Sequence, residues 1–418
     1  MTIKTAGIFN PIKKDISYRP ASTKKTTITT PIHHIYKMTI AVLLPSSTTH
    51  KQLGYDFYLS LQYALEQEHK DIEWMSSSIG FGTDEVDMLA KAEDMLLNRG
   101  ADLLIAFADY PKLSVVFPLL EAVNKQLLLV NMGAKLPVDW RPHPQVFHLN
   151  LQESLLAHIA GKTLYQEGNP EFVLATNYYE GGYAPCQLAV DAYMQQGGTV
   201  GYNFIPHTKG ETFSIEPLTT YLAESETKPA IYANYSHPLT TVFWEQWQKS
   251  AAAQENILWC SSILLMEILA TDPDTLLNSK HITGLVAWHH ALDNVENTTF
   301  VQQFQQKLNR PGNHFGALGW DAGLLITHAL QAYQARQPFE LVAALTNSAS
   351  PIKLSRGEAV VDKDFQMLIA PAYRLSVVDR QLHYHVLDAA ELLAAWQELK
   401  QQHPQPNQNG WFNTYLCS

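Results

Sequence analysis

Cysteine is scarce. The 418 residues hold three, Cys186, Cys260 and Cys417, far apart and without a CxxC pair, which argues against a disulfide framework and against a cysteine-based zinc site. Long hydrophobic runs are lacking as well: stretches such as "LIAFA" and "QLLLV" are strand-sized, far below the roughly 20 apolar residues of a membrane-spanning helix, and the expectation is a soluble chain. Positive charge is in deficit, with 29 Lys and Arg against 40 Asp and Glu and a formal net charge of −11. Seven of those cations lie in residues 1–37 beside a single acid, Asp15, so the rest of the chain is more acidic still. Such a body repels a phosphate backbone, and nucleic acid is not an expected partner. Enzyme signatures are missing too. There is no GxSxG and no HExxH, "GFGTDE" lacks the third glycine of a dinucleotide fingerprint, and "GKT" (161–163) lacks the upstream glycine of a phosphate loop. No enzyme activity, cofactor or metal is expected.

The first 37 residues carry a leader's positive charge without the apolar segment of about 7–15 residues or the cleavage site of a signal peptide. They read as a disordered, Thr/Lys-rich extension, with a mis-assigned start or a replaced export signal as the alternative. From residue 38 the pattern changes to apolar runs alternating with helical periodicity. "MTIAVLL" is followed by "YDFYLSLQYALEQEH", in which Phe57, Leu61, Ala64 and Leu65 recur at helix spacing. "DIEWMSSSIG", "ADLLIAFA" and "KQLLLVNM" continue the strands, each separated by a helix-like segment. The alternation restarts at "EFVLATN" and runs through "TVGYNFIP", "AIYANYS", "NILWCSS" and "HITGLVAWHH". This predicts two α/β units with parallel sheets, closed by an antiparallel hairpin in "AYRLSVVDRQLHYHVLDA".

Open parallel sheets bind ligands beyond the carboxyl ends of their strands. The turns at those ends are "PSSTTH", "ADYP", "NMGAK", "NYYEGGY", "NYSHP", "CSS" and "WHH", rich in aromatic and hydroxyl residues, whereas the turns at the opposite ends ("NRGAD", "QEGNPE", "SETKP") are merely polar. Candidate ligand contacts in the first unit are Ser46, Ser47, Phe107, Asp109, Tyr110, Met132, Gly133 and Ala134. In the second they are Tyr178, Tyr179, Tyr183, Asn234, Tyr235 and Ser261, with Trp288 and His289 where the chain crosses back. Each has a plainer alternative. Ser46 and Ser47 suit a helix cap equally well, one of the adjacent pair Tyr178 and Tyr179 is free to pack on its own lobe, and Trp288 could plug the hinge. His289 and His290 are consecutive and have no partner cluster nearby in sequence, which argues against a metal.

In the order and spacing of "AVLLPSSTTHKQLGYDFYLSLQYAL", "ADLLIAFADYPKLSVVFPLLEAVNKQLLLVNMGAKLP", "NYYEGGYAPCQLAVDAYMQQGG", "FGALGWDAGLLITHAL" and "SRGEAVVDKDFQ", the chain resembles the type I periplasmic binding proteins. The likeness is to their branched-chain amino-acid-binding branch, the substrate-binding proteins of ABC transporters, over about residues 38–390. The resemblance implies two Rossmann-like lobes joined by three hinge crossings and closing over a small ligand. With crossings near 150, 284 and 346, lobe one would be 38–150 plus 285–345, lobe two 151–284 plus 346–400, and 401–418 a tail. It implies an ABC transporter permease as partner, a periplasmic location and a monomer. A cytoplasmic ligand-sensing regulator of the amide-sensor type, bound to a regulator protein, is the alternative on the same fold. Amino-acid-binding members present Ser/Thr hydroxyls where this chain has Phe107 to Tyr110 and Met132 to Ala134, and an acid near the position of Ser261 and Ser262. Both halves of a zwitterion clamp are therefore missing from the matching turns, which points to an aromatic or largely apolar ligand and away from a standard α-amino acid. An aromatic acid, an amide, a nucleobase-like compound, a lipidic molecule, or a cation held over the rings with Asp109 as counter-charge all remain open.

Overall fold

A computed structural model of the protein describes residues 38–69, 71–206, 212–279, 281–331 and 339–405. The expected amino-terminal extension, Cys417 and all but the first few residues of the expected tail lie outside the described residues.

Among the described residues, fifteen strands fall in two sheets. The first contains β1 (Thr39–Leu44), β2 (Glu73–Ser78), β3 (Leu103–Phe107), β4 (Gln126–Asn131) and β5 (Val146–Asn150). The second is built on β6 (Phe172–Thr176), β7 (Val200–Phe204), β8 (Ala230–Asn234), β9 (Leu258–Cys260) and β10 (Ile282–Val286). Within each of these two sets the pairings are parallel. Strands buried on both faces explain the continuous apolar runs. In β1, Ile40 and Val42 enter one core cluster while Ala41 and Leu43 enter another, as the period-2 alternation of side chains requires. Helix Leu53–Glu66 and helix His314–Gln331 pack tightly against each other beside the first sheet. Gly319 allows that approach, since a β-carbon there would collide with the Phe57 carbonyl.

The remaining strands are β11 (Ile352–Leu354), β12 (Gly357–Asp362), β13 (Met367–Ile369), β14 (Ala372–Val378) and β15 (Gln381–Leu387). The hairpin β14–β15 extends the second sheet antiparallel beside β10, as its sequence predicted. The third crossing corrects the expected boundary. Strands β11, β12 and β13 remain in the first sheet, with β13 joining β5 at Met367 and His148, so the chain leaves lobe one between Ile369 and Ala372 and not near 346. Two of these three strands are only three residues long, too short for a periodic signal. β5 ("VFHLN") likewise follows a loop without a clear pattern.

The crossings are tied to one another. The Gln152 side chain clips the first to the third, accepting from Ala370 N at 2.7 Å and donating to Ala370 O at 3.1 Å. Arg356 donates to Asp321 at 2.7 Å and to Asn150 O at 3.0 Å, while Tyr373 OH donates to Arg356 O at 2.7 Å. At the second crossing Trp288 Nε1 donates to Asn297 Oδ1 at 2.7 Å, and the Asn297 amide returns to His290 O and Leu292 O at 3.1 and 3.0 Å.

Candidate functional site

The two lobes meet at the carboxyl ends of their parallel strands. Ala184 N in lobe two donates to Ala134 O in lobe one at 3.1 Å. Nearby, His50 of the turn after β1 reaches Glu267 of helix Ser262–Thr271, with Nε2 and Oε1 3.4 Å apart. The His50 ring also lies 6.0 Å from that of His237 and 5.2 Å from that of Phe315. These contacts join Ala134 of the turn after β4 to Ala184, and His50 of the turn after β1 to His237 of the turn after β8.

Lobe one supplies Ser46, Ser47, Asp109 and the turn after β4. Ser46 is exposed, its hydroxyl 3.3 Å from Ser78 Oγ. Ser47 Oγ accepts from His50 N at 2.9 Å and so shapes the turn that carries His50. Asp109 is buried, and beside it burial lowers the pKa of Lys135, an effect the Asp109 charge only partly opposes. Gly133 has φ +75° and donates its N–H to Asn131 Oδ1 at 2.8 Å; a β-carbon there would sit 2.8 Å from Gln152 N, so the turn needs glycine. Met132 and Ala134 are buried beside it.

In lobe two, Asn177 organises the tyrosine turn: its side chain accepts from the N–H groups of Tyr179 and Glu180 at 2.7 and 2.8 Å. Tyr183, only 1% exposed, lies immediately before the contact with Ala134, and Tyr179 stands edge-on to it at 5.9 Å. Tyr178 is 54% exposed and Tyr179 37%. Ser261 caps helix Ser262–Thr271, accepting from Leu264 N at 3.4 Å.

Several expected contacts are core residues instead. Phe107 packs edge-on against Phe57 at 5.2 Å inside lobe one. Tyr235 is fully buried, stacks on Phe243 at 4.4 Å and donates to Thr176 O at 3.3 Å. Asn234 donates to Cys186 Sγ at 3.1 Å. Phe107 and Asn234 end their strands with side chains directed into the layers, and Tyr235, the next residue, packs on Phe243 of a different helix from the one Asn234 meets. Tyr110 turns away to stack on His148 at 5.5 Å, lining a small cavity by the first crossing with Gly133 and Gln152. Trp288 and His289 line a different cavity, and His289 stacks on Tyr384 at 3.6 Å.

Sequence reasoning missed the titratable groups at the lobe contact. Burial pushes the Glu267 carboxyl up to about 8, against the Thr240 hydroxyl that donates to it. Glu180, whose partner is the Ser236 hydroxyl, is also raised by burial. His50 falls to about 4 through burial and the neighbouring His237, and His314 to about 3 through burial and His50. Both shifts favour the neutral forms, so the contact between lobes brings a neutral carboxyl beside a neutral imidazole. An acid of lobe two thus does reach the lobe contact, more than a turn along the helix from the position where the sequence was searched for it. Its cue was Glu267 standing alone in the apolar run "SILLMEILA". Among the described residues no cluster of three or more His, Cys, Asp or Glu could hold a metal, and no helix is long and apolar enough to cross a membrane.

The profile of the family described as periplasmic binding protein matches residues 39–381, and the chain belongs to that family. Among solved structures, an ABC transporter substrate-binding protein from Sphaerobacter thermophilus is 16% identical, with 84% of this chain and 98% of that one covered at a TM-score of 0.69. A solute-binding protein of an ABC transporter from Rhodopseudomonas palustris, in complex with benzoate, is 18% identical, with 83% and 95% covered at 0.63. Another from the HaA2 strain of that species, in complex with p-hydroxybenzoic acid, is 17% identical, with 84% and 97% covered at 0.64. These likenesses establish the two-lobed α/β fold. Among curated protein sequences none matches the chain.

Proposed function

We propose that this chain is the substrate-binding protein of an ABC transporter, acting in the periplasm as a monomer that captures a small organic molecule between its lobes and presents it to a permease. The observation that carries the reading is the convergence of strand-end turns from both lobes at the Ala134–Ala184 contact, with Tyr183 buried beside it. Closure over a ligand needs such a two-walled site. The ligand has an aromatic or largely apolar body and is not a standard α-amino acid. The aromatic pair Tyr179 and Tyr183 supports this, as do relatives of the same fold in complex with benzoate and p-hydroxybenzoic acid. Stacking on such rings is worth roughly 0.5–1.5 kcal/mol beyond area burial. Asp109, Met132, Gly133, Ala134, Ser46 and Ser47 would form the opposing wall.

Titration calorimetry with benzoate, p-hydroxybenzoate, 3,4-dihydroxybenzoate and leucine tests the reading. Saturable binding of at least one aromatic acid, weakened about tenfold or more in Tyr183→Ala, is the expected result. Tighter binding of leucine than of every aromatic acid would overturn the ligand class. No thermal shift or change in lobe closure with any member of a wide metabolite panel would overturn the transport role.

A further inference from the structure

The contact between the lobes buries an acid that no cation answers. Glu267, on helix Ser262–Thr271 of lobe two, is 7% exposed. Its Oε2 accepts from the Thr240 hydroxyl, while its Oε1 takes no hydrogen bond among the described residues and stands 3.4 Å from His50 Nε2 of lobe one. His50 lies edge-on to Phe315 at 5.2 Å, and the Phe315 ring lies 4.0 Å from that of His314, both on helix His314–Gln331 of lobe one. Lobe two therefore holds the carboxyl from one side, and side chains of lobe one close it from the other.

The elements packed on helix Ser262–Thr271 bring no counter-charge to it. Helix Leu239–Lys249 supplies Thr240, and the turn before it supplies a backbone hydrogen bond at His237. Glu180, bonded by Ser236, adds a second carboxyl that disfavours ionisation of the first. Strand β10 carries no titratable side chain, and β8 carries Tyr232, which burial keeps protonated. On helix Glu153–Gln166, Glu153 acts on Tyr232, while His158 and Lys162 gather about Glu398. Beyond the helix end, Asp272 accepts from Trp244 Nε1 at 3.0 Å, and Asp274 is exposed. Burial consequently dominates and raises Glu267 from 4.5 to about 8. When the lobes part, His50 leaves and water reaches Oε1, which returns the carboxyl toward its ordinary value. Glu267 is then ionised at neutral pH with the lobes apart and protonated with them together.

We infer that Glu267 couples closure of the lobes to the uptake of one proton, so that the cleft holds its solute more weakly as the medium becomes alkaline. The inference rests on the reading of the cleft as a closing solute site. On closure a solvent proton joins the Glu267 carboxylate, and on opening it returns to solvent. By reciprocity a bound solute raises the affinity for that proton. His50 and His314 set the acid limit of the window. Lowered from 6.5 to about 4 and about 3, they give up protons on closure below pH 6.5 and oppose the uptake there.

Two readouts on the full-length protein test the coupling, one of them without any solute. Small-angle scattering of the unliganded wild type from pH 7 to 9 should show a mean radius that grows with pH. Calorimetry with benzoate, which does not itself titrate in this range, should give binding about fivefold or more weaker at pH 8.5 than at pH 7. At pH 7.5, buffers of different ionisation enthalpy should report roughly half a proton or more taken up per benzoate bound. Both dependences should vanish in Glu267→Gln, which cannot ionise, and persist in Glu180→Gln. A wild-type radius that is constant with pH overturns the inference, as does a pH dependence that survives Glu267→Gln or is lost in Glu180→Gln. If Glu267→Gln does not fold, Thr240→Val decides: it removes the hydroxyl that favours the carboxylate, so the midpoint of the radius change should move to higher pH, and an unmoved midpoint overturns the assignment to Glu267. Absence of benzoate binding counts against the aromatic-acid reading alone, and the scattering arm then decides the coupling.

Discussion

Buried acids are treated differently in the two lobes. In lobe one Asp56, Asp321 and Asp362 are each paired with a cation. Asp321 accepts from Arg356 at 2.7 Å and from Ser355 N and Oγ at 2.8 and 2.7 Å. Asp56 faces Arg310 and Asn313, and Asp362 accepts from Lys400 Nζ and Trp396 Nε1, each at 2.7 Å. In lobe two Glu180 and Glu267 are bonded by hydroxyls, from Ser236 and Thr240, and neither forms an ion pair with Lys or Arg among the described residues. Paired acids are structural: they fix crossings and helix ends, although burial still raises the Asp321 carboxyl against the opposing Arg356 charge. Of the acids bonded by hydroxyls, Glu267 is pushed up to about 8 by burial and stands where the lobes meet, and burial raises Glu180 as well. The difference separates scaffold from site without any reference to a ligand.

The sharpest way to break that comparison is to remove one partner from each class. Asp321→Asn leaves Arg356 buried and unpaired and should cost about 3–5 kcal/mol, read as a fall in denaturant midpoint at unchanged slope. Glu267→Gln keeps an oxygen for Thr240 and removes no charge from the folded protein, so its hydrogen-bond cost should stay within about 1 kcal/mol, and at neutral pH it also removes the loss of stability that comes from the unfolded Glu267 being ionised. Equal losses in the two variants would mean that Glu267 is as structural as Asp321.

The second test uses pH. Glu267 is raised from 4.5 to about 8 in the folded state, so its contribution to stability is complete below pH 4.5 and is lost as pH rises through 8. Between pH 6.5 and 8 the expected loss is about 2 kcal/mol. His50 and His314, lowered from 6.5 to about 4 and about 3, contribute stability that is present above pH 6.5 and lost as pH falls toward those values. Denaturation curves across pH should therefore show losses on both sides for the wild type. Glu267→Gln should flatten only the alkaline side, and an alkaline slope that survives this substitution would refute the raised carboxyl.

Much of the fold could be read from the sequence because buried parallel strands leave continuous apolar runs and their helices leave periodic ones: "MTIAVLL", "EFVLATN" and "HITGLVAWHH" each contain a strand. The third crossing could not, because β11 and β13 have three residues each and are defined by their partners, not by their own pattern. At the site, the turns were legible but the side chains were not. Phe107 and Tyr235 share their composition with ligand-facing aromatics, and only the direction of the strand sends them into the core. His50 and Glu267 were overlooked for the opposite reason. Each looks ordinary in its own segment, and their meaning arises when two segments more than 200 residues apart come within 3.4 Å.

A smaller effect is expected from the contact between the lobes. His50→Gln replaces an imidazole paired with a neutral acid, a contact worth about 0.5–1.5 kcal/mol, so cleft affinity should fall no more than about tenfold while the melting temperature hardly moves. Small-angle scattering would show a larger mean radius for the unliganded variant. A compact profile identical to that of the wild type would mean that the Ala134–Ala184 contact alone holds the lobes together.

The smallest effect separates two tyrosines of one turn. Tyr178 is half exposed, whereas Tyr183 is almost fully buried at the contact between the lobes. Truncating an exposed ring removes little that water had not already solvated, so Tyr178→Ala should alter stability by less than about 0.5 kcal/mol and cleft affinity by less than about twofold. Tyr183→Ala removes a packed ring and should weaken aromatic-acid binding several times more. Calorimetry on the two variants side by side makes the ratio the readout, which cancels any common error in concentration or active fraction. If Tyr178→Ala proved the more damaging, the ligand would sit against the outer face of the turn, and the buried lobe contact would be a scaffold feature like the paired acids of lobe one.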